Sequence, residues 1–321
     1  MFKGLKLKVV VTGGSGFIGT RLVEILLQEQ HDVLIFDKAQ SLVYPELVTI
    51  GDVRDVNSMI DAFKGADVIY NLAAEHADNV TPKSLYADVN VKGAENVVIA
   101  AKANDVKRIV FTSTVAIYGR QQLHLDEKCS ANPVSEYGIT KWDAEKVFRK
   151  WAEDDSNNSL IVIRPAVVFG EKNRGNVYRL MEQIANGKFL MIGEGKNKKS
   201  MGYVGNISLF LASKIDAEIG VDTFNFAGKP DLTSEEIVNI IKDELKISSN
   251  TIHVPEWIGL AGGSMFDILS KITGKKYPIS SVRVKKFTSD TTISTDKLMN
   301  SGFVDAFDLE EGLRRMIRSE F

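Results

Sequence analysis

Thr12-Gly13-Gly14-Ser15-Gly16-Phe17-Ile18-Gly19, read TGGSGFIG, stands between a β-branched run and the start of an amphipathic segment. The run before it, Val9-Val10-Val11-Thr12, has the character of a buried strand. After it, Gly16 to Glu29 places Ile18, Leu22, Ile25 and Leu26 on one helical face. Glycines at 13, 16 and 19 permit a tight turn, a close backbone approach to a pyrophosphate, and close packing of helix on strand. The start of the helix, at Phe17 and Ile18, offers N–H groups and a positive dipole end to phosphate oxygens. A strand before and a helix after distinguish this motif from an ordinary glycine-rich loop.

The same alternation continues outward from the motif. Val33–Phe36, Val68–Leu72, Arg108–Thr112 and Leu160–Ile163 read as further strands, with helical patterns over about 83–104 and from 135 onward. Continuous apolar strands alternating with helices imply a parallel sheet covered on both faces. The expected fold class is α/β, a Rossmann-type doubly wound parallel sheet. After about Gly170 the rhythm changes to polar loops, one helix and short strands such as TFNFAG. The expected domains are therefore residues 1–170, binding a dinucleotide, and residues 171–321, a smaller mixed α/β substrate domain, with interleaving left open. Asp37 closes the second strand, where a carboxylate suits the two ribose hydroxyls of NAD and repels the 2′-phosphate of NADP. NAD is the expected cofactor; the competing reading of Asp37 is a strand-end turn residue.

Composition narrows the classes. Hydrophobic residues at 44%, charged residues at 26% and a net charge of −2 over 321 residues describe an ordinary globular chain with no electrostatic footprint for nucleic acid. The single cysteine, Cys129, excludes an intrachain disulfide, and four scattered histidines show no metal-ligand spacing, so no metal is expected. The apolar run near the N-terminus is too short for a signal-peptide core, and no run approaches a membrane span. A cytoplasmic protein is expected.

Tyr137-Gly138-Ile139-Thr140-Lys141 supplies candidate chemistry. Of the eight tyrosines only Tyr137 has a lysine four residues later, which sets both side chains on one helix face. An ammonium beside a phenol favours the phenolate and lowers its pKa from about 10 toward the working pH. Tyr137 is then a general base toward a substrate hydroxyl. The alternative is a solvated helix face. A third group, to hold that hydroxyl, is expected at the carboxyl end of a neighbouring strand, where Thr112-Ser113-Thr114 follows the Arg108–Thr112 run.

Taken in order, TGGSGFIG, GDVRD, NLAAEH, DVNVKGAENV, FTSTVAIYG, YGITK, RPAVVFGE and the terminal DKLMNSGFVDAFDLEEGL resemble an extended short-chain dehydrogenase/reductase of the NAD-dependent sugar epimerase/dehydratase branch. The resemblance spans essentially the whole chain. It implies Thr114, Tyr137 and Lys141 as the catalytic group, with Lys141 also on the ribose. Asp52 and Val53 map to the adenine contact, Leu72, Ala73 and Ala74 to the nicotinamide-side loop, and Pro165 to the carboxamide. It implies oxidation at a sugar C4 to a 4-keto intermediate, reduction from the opposite face, and a homodimer. The branch's 4,6-dehydratases resemble one another in an Asp-Glu pair after the catalytic Thr; Val115-Ala116 stands here, which argues against elimination. A sugar or sterol-type dehydrogenase/reductase is the alternative enzyme, and a non-catalytic NAD sensor the alternative class.

Further stretches, among them LAAEHADNVTPKSLYADVNVKG and FDILSKITGKKYPISSVRVKKF, are similar to a subgroup of 4-epimerases acting on polyprenol-linked N-acetylglucosamine diphosphate. That resemblance implies Arg174, Lys199 and Arg283 as diphosphate ligands and His76 and Asn176 as sugar contacts; each could equally be a surface or loop residue. Between Trp257 and Lys276, Ile258, Ala261, Met265, Ile268 and Ile272 recur at helical spacing, with Trp257, Phe266 and Leu269 widening the stripe. Lys271, Lys275, Lys276, Arg283, Lys285 and Lys286 follow. Two readings stay open: a helix packed on its own core, or peripheral contact with an anionic membrane at the inner face of the cell membrane. Gly262 and Gly263 would each cost such a helix about 1 kcal/mol.

Overall fold

A computed structural model describes residues 5–77, 80–119, 125–274 and 280–321, without the side chains of Lys271 and Arg283. Lys275 and Lys276 lie outside the described residues. The chain divides into two compact units: residues 1–168, 204–227 and 294–306 form one, and residues 169–203, 228–293 and 307–321 the other.

Seven strands build the first unit: β1 (Lys8–Thr12), β2 (Asp32–Asp37), β3 (Val48–Ile50), β4 (Val68–Asn71), β5 (Arg108–Thr112), β6 (Ser159–Pro165) and β7 (Gly220–Phe226). Every pairing is parallel and the order is β7-β6-β5-β4-β1-β2-β3. The order reverses between β1 and β4, the switch point outside which open α/β sheets bind ligands. Alternate residues of the central strands enter two cores. Val9, Val11, Ile161 and Ile163 face one, with Leu22, Phe210 and Phe224. Val10, Leu160 and Val162 face the other, with Met59, Val97 and Phe148. The first core is covered by α1 (Phe17–Gln28) and the Val204–Ala212 helix. The second is covered by α2 (Val56–Ala62), α3 (residues 84–103) and α4 (Glu136–Asp154). Within α3 the residues Ala87–Lys92 adopt π-helical pairing.

The stretch TFNFAG, expected in the second domain, belongs to the first unit. Its residues Thr223, Phe224, Asn225 and Phe226 pair with Val162, Ile163, Arg164 and Pro165, completing the sheet edge beside β6. Alternating burial cannot say which sheet a strand joins; only its partner can.

The second unit holds the helices Asn176–Ala185, Ser234–Glu244, α5 (Glu256–Thr273), α6 (Ser281–Thr288) and Leu309–Glu320, with two short strand pairs. Thr233 caps the Ser234–Glu244 helix through a reciprocal box with Glu236. Asp308 caps the terminal helix by accepting from the Glu311 N–H at 2.7 Å.

Candidate active site

The glycine motif turns as its spacing requires, with each glycine serving a distinct purpose. Gly13 holds φ +72°, and a Cβ there would stand 2.7 Å from the Ala73 nitrogen, so the turn abuts the loop after β4. A Cβ on Gly19 would come within 2.5 Å of the Gly13 oxygen, so only glycine lets α1 sit on the turn. At Gly16 a Cβ would meet only that same oxygen, at 3.1 Å. This open side lies at the N-cap of α1, which no side chain caps. The first N–H groups of α1 thus adjoin an open side of the glycine turn, which leaves backbone donors accessible to a pyrophosphate. Asp37 ends β2 as expected and accepts the N–H groups of Ser15 and Ala39, both at 3.0 Å. Its carboxylate therefore braces the glycine turn and keeps unused lone pairs for ribose hydroxyls.

Asp52 and Val53 follow β3. The Asp52 carboxylate takes Arg54 Nε at 2.9 Å and Nη2 at 2.6 Å, and these bonds hold its pKa below the ordinary range. The resemblance maps Asp52 to the adenine contact; in the structure its oxygens also hold Arg54. Val53 is buried, and its carbonyl accepts from Asn96 Nδ2 at 2.9 Å. At the switch point Thr12 Oγ1 donates to Asn71 Oδ1 at 2.5 Å, joining the ends of β1 and β4. Leu72, Ala73 and Ala74 continue from there, partly buried, and His76 lies exposed beyond them.

Thr114, Tyr137 and Lys141 come together at the carboxyl end of β5. Ser135 caps α4 by accepting the Gly138 N–H at 3.1 Å, which fixes Tyr137 in the first turn. A Cβ on Gly138 would stand 2.7 Å from the Ala116 oxygen, so glycine lets the helix start approach the Thr114 loop. The Tyr137 hydroxyl is hydrogen-bonded to the Thr114 side chain. Lys141 is buried, its Nζ 4.2 Å over the Phe111 ring. Ser113 Oγ and Thr112 Oγ1, at the same strand end, are buried without a hydrogen-bond partner. Pro165 ends β6, buried.

The electrostatics differ from the sequence expectation. Burial pushes the Tyr137 phenol up to about 12, against the lowering effect of its bond to Thr114. Burial also brings Lys141 down to about 7, opposed by the carboxylate of Glu145. Spacing places the pair on one face, but desolvation dominates both groups.

Asn90 escaped the sequence reading. From the π-helical turn of α3 its Nδ2 donates to the Glu75 carbonyl at 3.1 Å and to Thr140 Oγ1 at 3.0 Å, and its Oδ1 accepts from Glu75 N–H at 2.8 Å. It ties the loop after β4 to the helix carrying Tyr137 and Lys141. The available signal was an asparagine between two valines, Val89 and Val91, in a helical stretch. Beneath the pair, Arg164 also went unremarked: it binds buried Glu145 through Nε at 3.0 Å and Nη2 at 2.8 Å, and donates to Tyr118 Oη at 2.8 Å.

In the second unit, two expected diphosphate ligands are already committed. Arg174 pairs with the nearly buried carboxylate of Glu320, its guanidinium 4.1 Å over the Tyr178 ring. Lys199 donates to the Lys286 and Ser289 carbonyls at 3.0 and 2.5 Å, and burial lowers its pKa to about 8. The lysine thus caps the carboxyl end of α6 rather than standing free for a phosphate. Asn176 opens the Asn176–Ala185 helix, and Arg283 lies in α6 with its side chain outside the described residues.

Residues 9–219 match the family described as NAD dependent epimerase/dehydratase. The chain is 47% identical, over 98% of its length and 95% of the relative's, to the N-acetyl-α-D-glucosaminyl-diphospho-ditrans,octacis-undecaprenol 4-epimerase of Escherichia coli O157:H7. It is 28% identical to the 2-alkyl-3-oxoalkanoate reductase of Stenotrophomonas maltophilia, covering 97% of this chain and 98% of that one. Among solved structures, the UDP-N-acetylglucosamine 4-epimerase from Bacillus cereus superposes with a TM-score of 0.78 at 18% identity, over 98% of this chain and 100% of that chain.

Proposed function

The chain belongs to the NAD-dependent epimerase/dehydratase family, and from that membership we propose that it is a 4-epimerase of an N-acetylhexosamine diphosphate, acting through a 4-keto sugar. The observation that carries this reading is the hydroxyl pair of Tyr137 and Thr114, set beside buried Lys141 at the carboxyl end of β5.

The open side of the turn at Gly16, the two N–H-holding oxygens of Asp37 and the Ser113 hydroxyl, which has no partner among the described residues, fit a bound dinucleotide. The glycine turn would hold the pyrophosphate and Asp37 a ribose. Asp52 and Val53 would face the adenine, and Leu72–Ala74, Tyr137, Lys141 and Pro165 the nicotinamide side. When bound, NAD⁺ supplies the hydride acceptor for C4, the donor for its return, and a positive charge beside the phenol. Tyr137 takes the proton of the C4 hydroxyl and later returns it. Thr114, whose oxygen already bonds Tyr137, orients that hydroxyl. Lys141 holds the ribose and, when protonated, favours the phenolate.

The first unit is then the cofactor domain and the second the substrate domain, with His76 and Asn176 on the sugar and Arg283 on the diphosphate. The lipid-linked form of the substrate is favoured by the relative from E. coli O157:H7. Its polyprenol places the enzyme at the inner face of the cell membrane. Homodimer formation through α3 and α4 is supported by the exposed apolar side chains of Ile99 and Ile139.

The reading is tested by supplying UDP-GlcNAc and GlcNAc-diphospho-polyprenol, each deuterated at C4, and following the C4 epimer by NMR. Label retained in the epimer, with no deuterated NADH formed from added free NAD⁺, identifies epimerase; deuterated NADH accumulating from that pool identifies the dehydrogenase/reductase alternative. Tyr137→Phe lowers the rate by about 10²–10⁴-fold, the usual worth of a positioned proton-transfer group.

A further inference from the structure

α5 is a continuous helix through Gly262 and Gly263, and it turns its apolar stripe outward. Trp257, Met265, Ile268 and Ile272 are 70%, 54%, 59% and 75% exposed, and with Ala261 they fall on one side of the helix. The opposite side does the packing. A Cβ on Gly259 would stand 2.6 Å from the Ile192 side chain, and one on Gly263 would stand 2.7 Å from the Ser281 nitrogen. Asp267, next on that side, accepts from Ser281 N–H at 3.1 Å and Oγ at 2.6 Å. Gly263 thus lets the start of α6 approach closely, which answers its propensity cost, while a Cβ on Gly262 would meet nothing. The reading of the stripe as core is corrected: the helix packs by its glycine face. On α6, Val282 adds to the apolar surface at 61% exposure, with Lys285 and Lys286 exposed beside it.

Large exposed apolar patches on a monomer mark interaction surfaces. Charge selects the partner. Residues 256–288 carry six Lys or Arg and two acids, within a chain of net charge −2. Both acids are used internally, Asp267 as above and Glu256 by accepting from Thr288 Oγ1 at 2.9 Å. A two-fold contact between copies would set this basic segment of sequence against itself. No helix among the described residues is long and apolar enough to cross a membrane, so the stripe suits a helix lying in the plane of a bilayer surface.

We propose that the α5–α6 hairpin docks on an anionic lipid bilayer, Trp257, Met265, Ile268 and Ile272 entering the headgroup boundary while Lys285 and Lys286 meet lipid phosphates. This rests on the reading that the substrate is polyprenol-linked. The hairpin holds the enzyme at the surface where such a substrate is anchored.

The test uses the full chain with vesicles of phosphatidylglycerol and phosphatidylethanolamine, and with neutral phosphatidylcholine vesicles. Of the three tryptophans Trp257 is the exposed one, so anionic vesicles should shift its emission to the blue, and Trp257→Phe should remove the shift. Co-sedimentation with anionic vesicles should exceed that with neutral ones at least tenfold. Met265→Ser/Ile268→Ser/Ile272→Ser should lower it at least tenfold while epimerisation of soluble UDP-GlcNAc stays unchanged. Wild-type protein left in the supernatant, or a triple variant that sediments like wild type, overturns the proposal. So does a triple variant whose only change is a smaller oligomer in analytical ultracentrifugation, since the stripe would then face a second copy. Vesicle binding by a chain inactive on both sugar substrates would instead overturn the epimerase reading and leave the docking surface standing.

Discussion

Lys141 is enclosed by protein beside an aromatic ring, and yet it belongs to the proposed proton-transfer group. An ammonium there has lost most of its hydration, and the Phe111 face returns only part of that loss. Its pKa near 7, against 10.5 in an unfolded chain, has a measurable consequence. Between those values the unfolded chain binds the extra proton, so unfolding becomes harder as pH rises from about 7 to about 10. Lys141→Met should abolish that component. Denaturant midpoints of the cofactor-free wild type should therefore gain on those of the variant over this range, and parallel curves would refute the assignment. Tyr137, at about 12 against 10, acts above pH 10 with opposite sign, because the folded chain then keeps its proton longer and stability falls. The charge that the proposed mechanism asks of Lys141 thus has to be restored by whatever binds beside it.

At the scale of elements, the catalytic helix is held from below by a buried ion network. Glu145 of α4 accepts two bonds from Arg164 of β6, and Arg164 donates to Tyr118, whose hydroxyl donates to Asn225 of β7 at 2.8 Å. Glu145 lies one turn beyond Lys141 and raises its pKa, so the network also acts on the site's charge. Removing Glu145 leaves Arg164 buried without its counter-ion. Glu145→Leu should cost about 3–5 kcal/mol in chemical denaturation, whereas Glu145→Leu/Arg164→Met should recover much of the loss. Equal losses in both variants would show that the pair contributes packing alone. Asn90 works alongside: its three bonds fasten the loop after β4 to Thr140, so two elements that flank the cofactor cradle cannot separate independently.

For the whole molecule, the decisive fact is that the sheet is finished by residues far beyond the first break in the chain. Phe210, Phe224 and Phe226 share one core with Val110, Ile161 and Ile163. A fragment ending at residue 170 lacks β7 and the Val204–Ala212 helix, strips that core and leaves β6 as a bare edge. It should show no cooperative unfolding transition by circular dichroism; a sharp transition in the fragment would mean that the first segment folds alone.

Local pattern alone established the glycine turn, the strand-helix alternation and the one-turn spacing of Tyr137 and Lys141. These depend on neighbours within a few residues, and such neighbours are written in order. The packing of distant segments decided the rest. It assigned TFNFAG to the first sheet, engaged Lys199 with the carbonyls at the end of α6, turned the α5 stripe away from its glycine face, and brought Asn90 to Thr140. It also reversed the expected pKa shift of Tyr137, because desolvation depends on what closes over a group and not on what stands four residues along the chain.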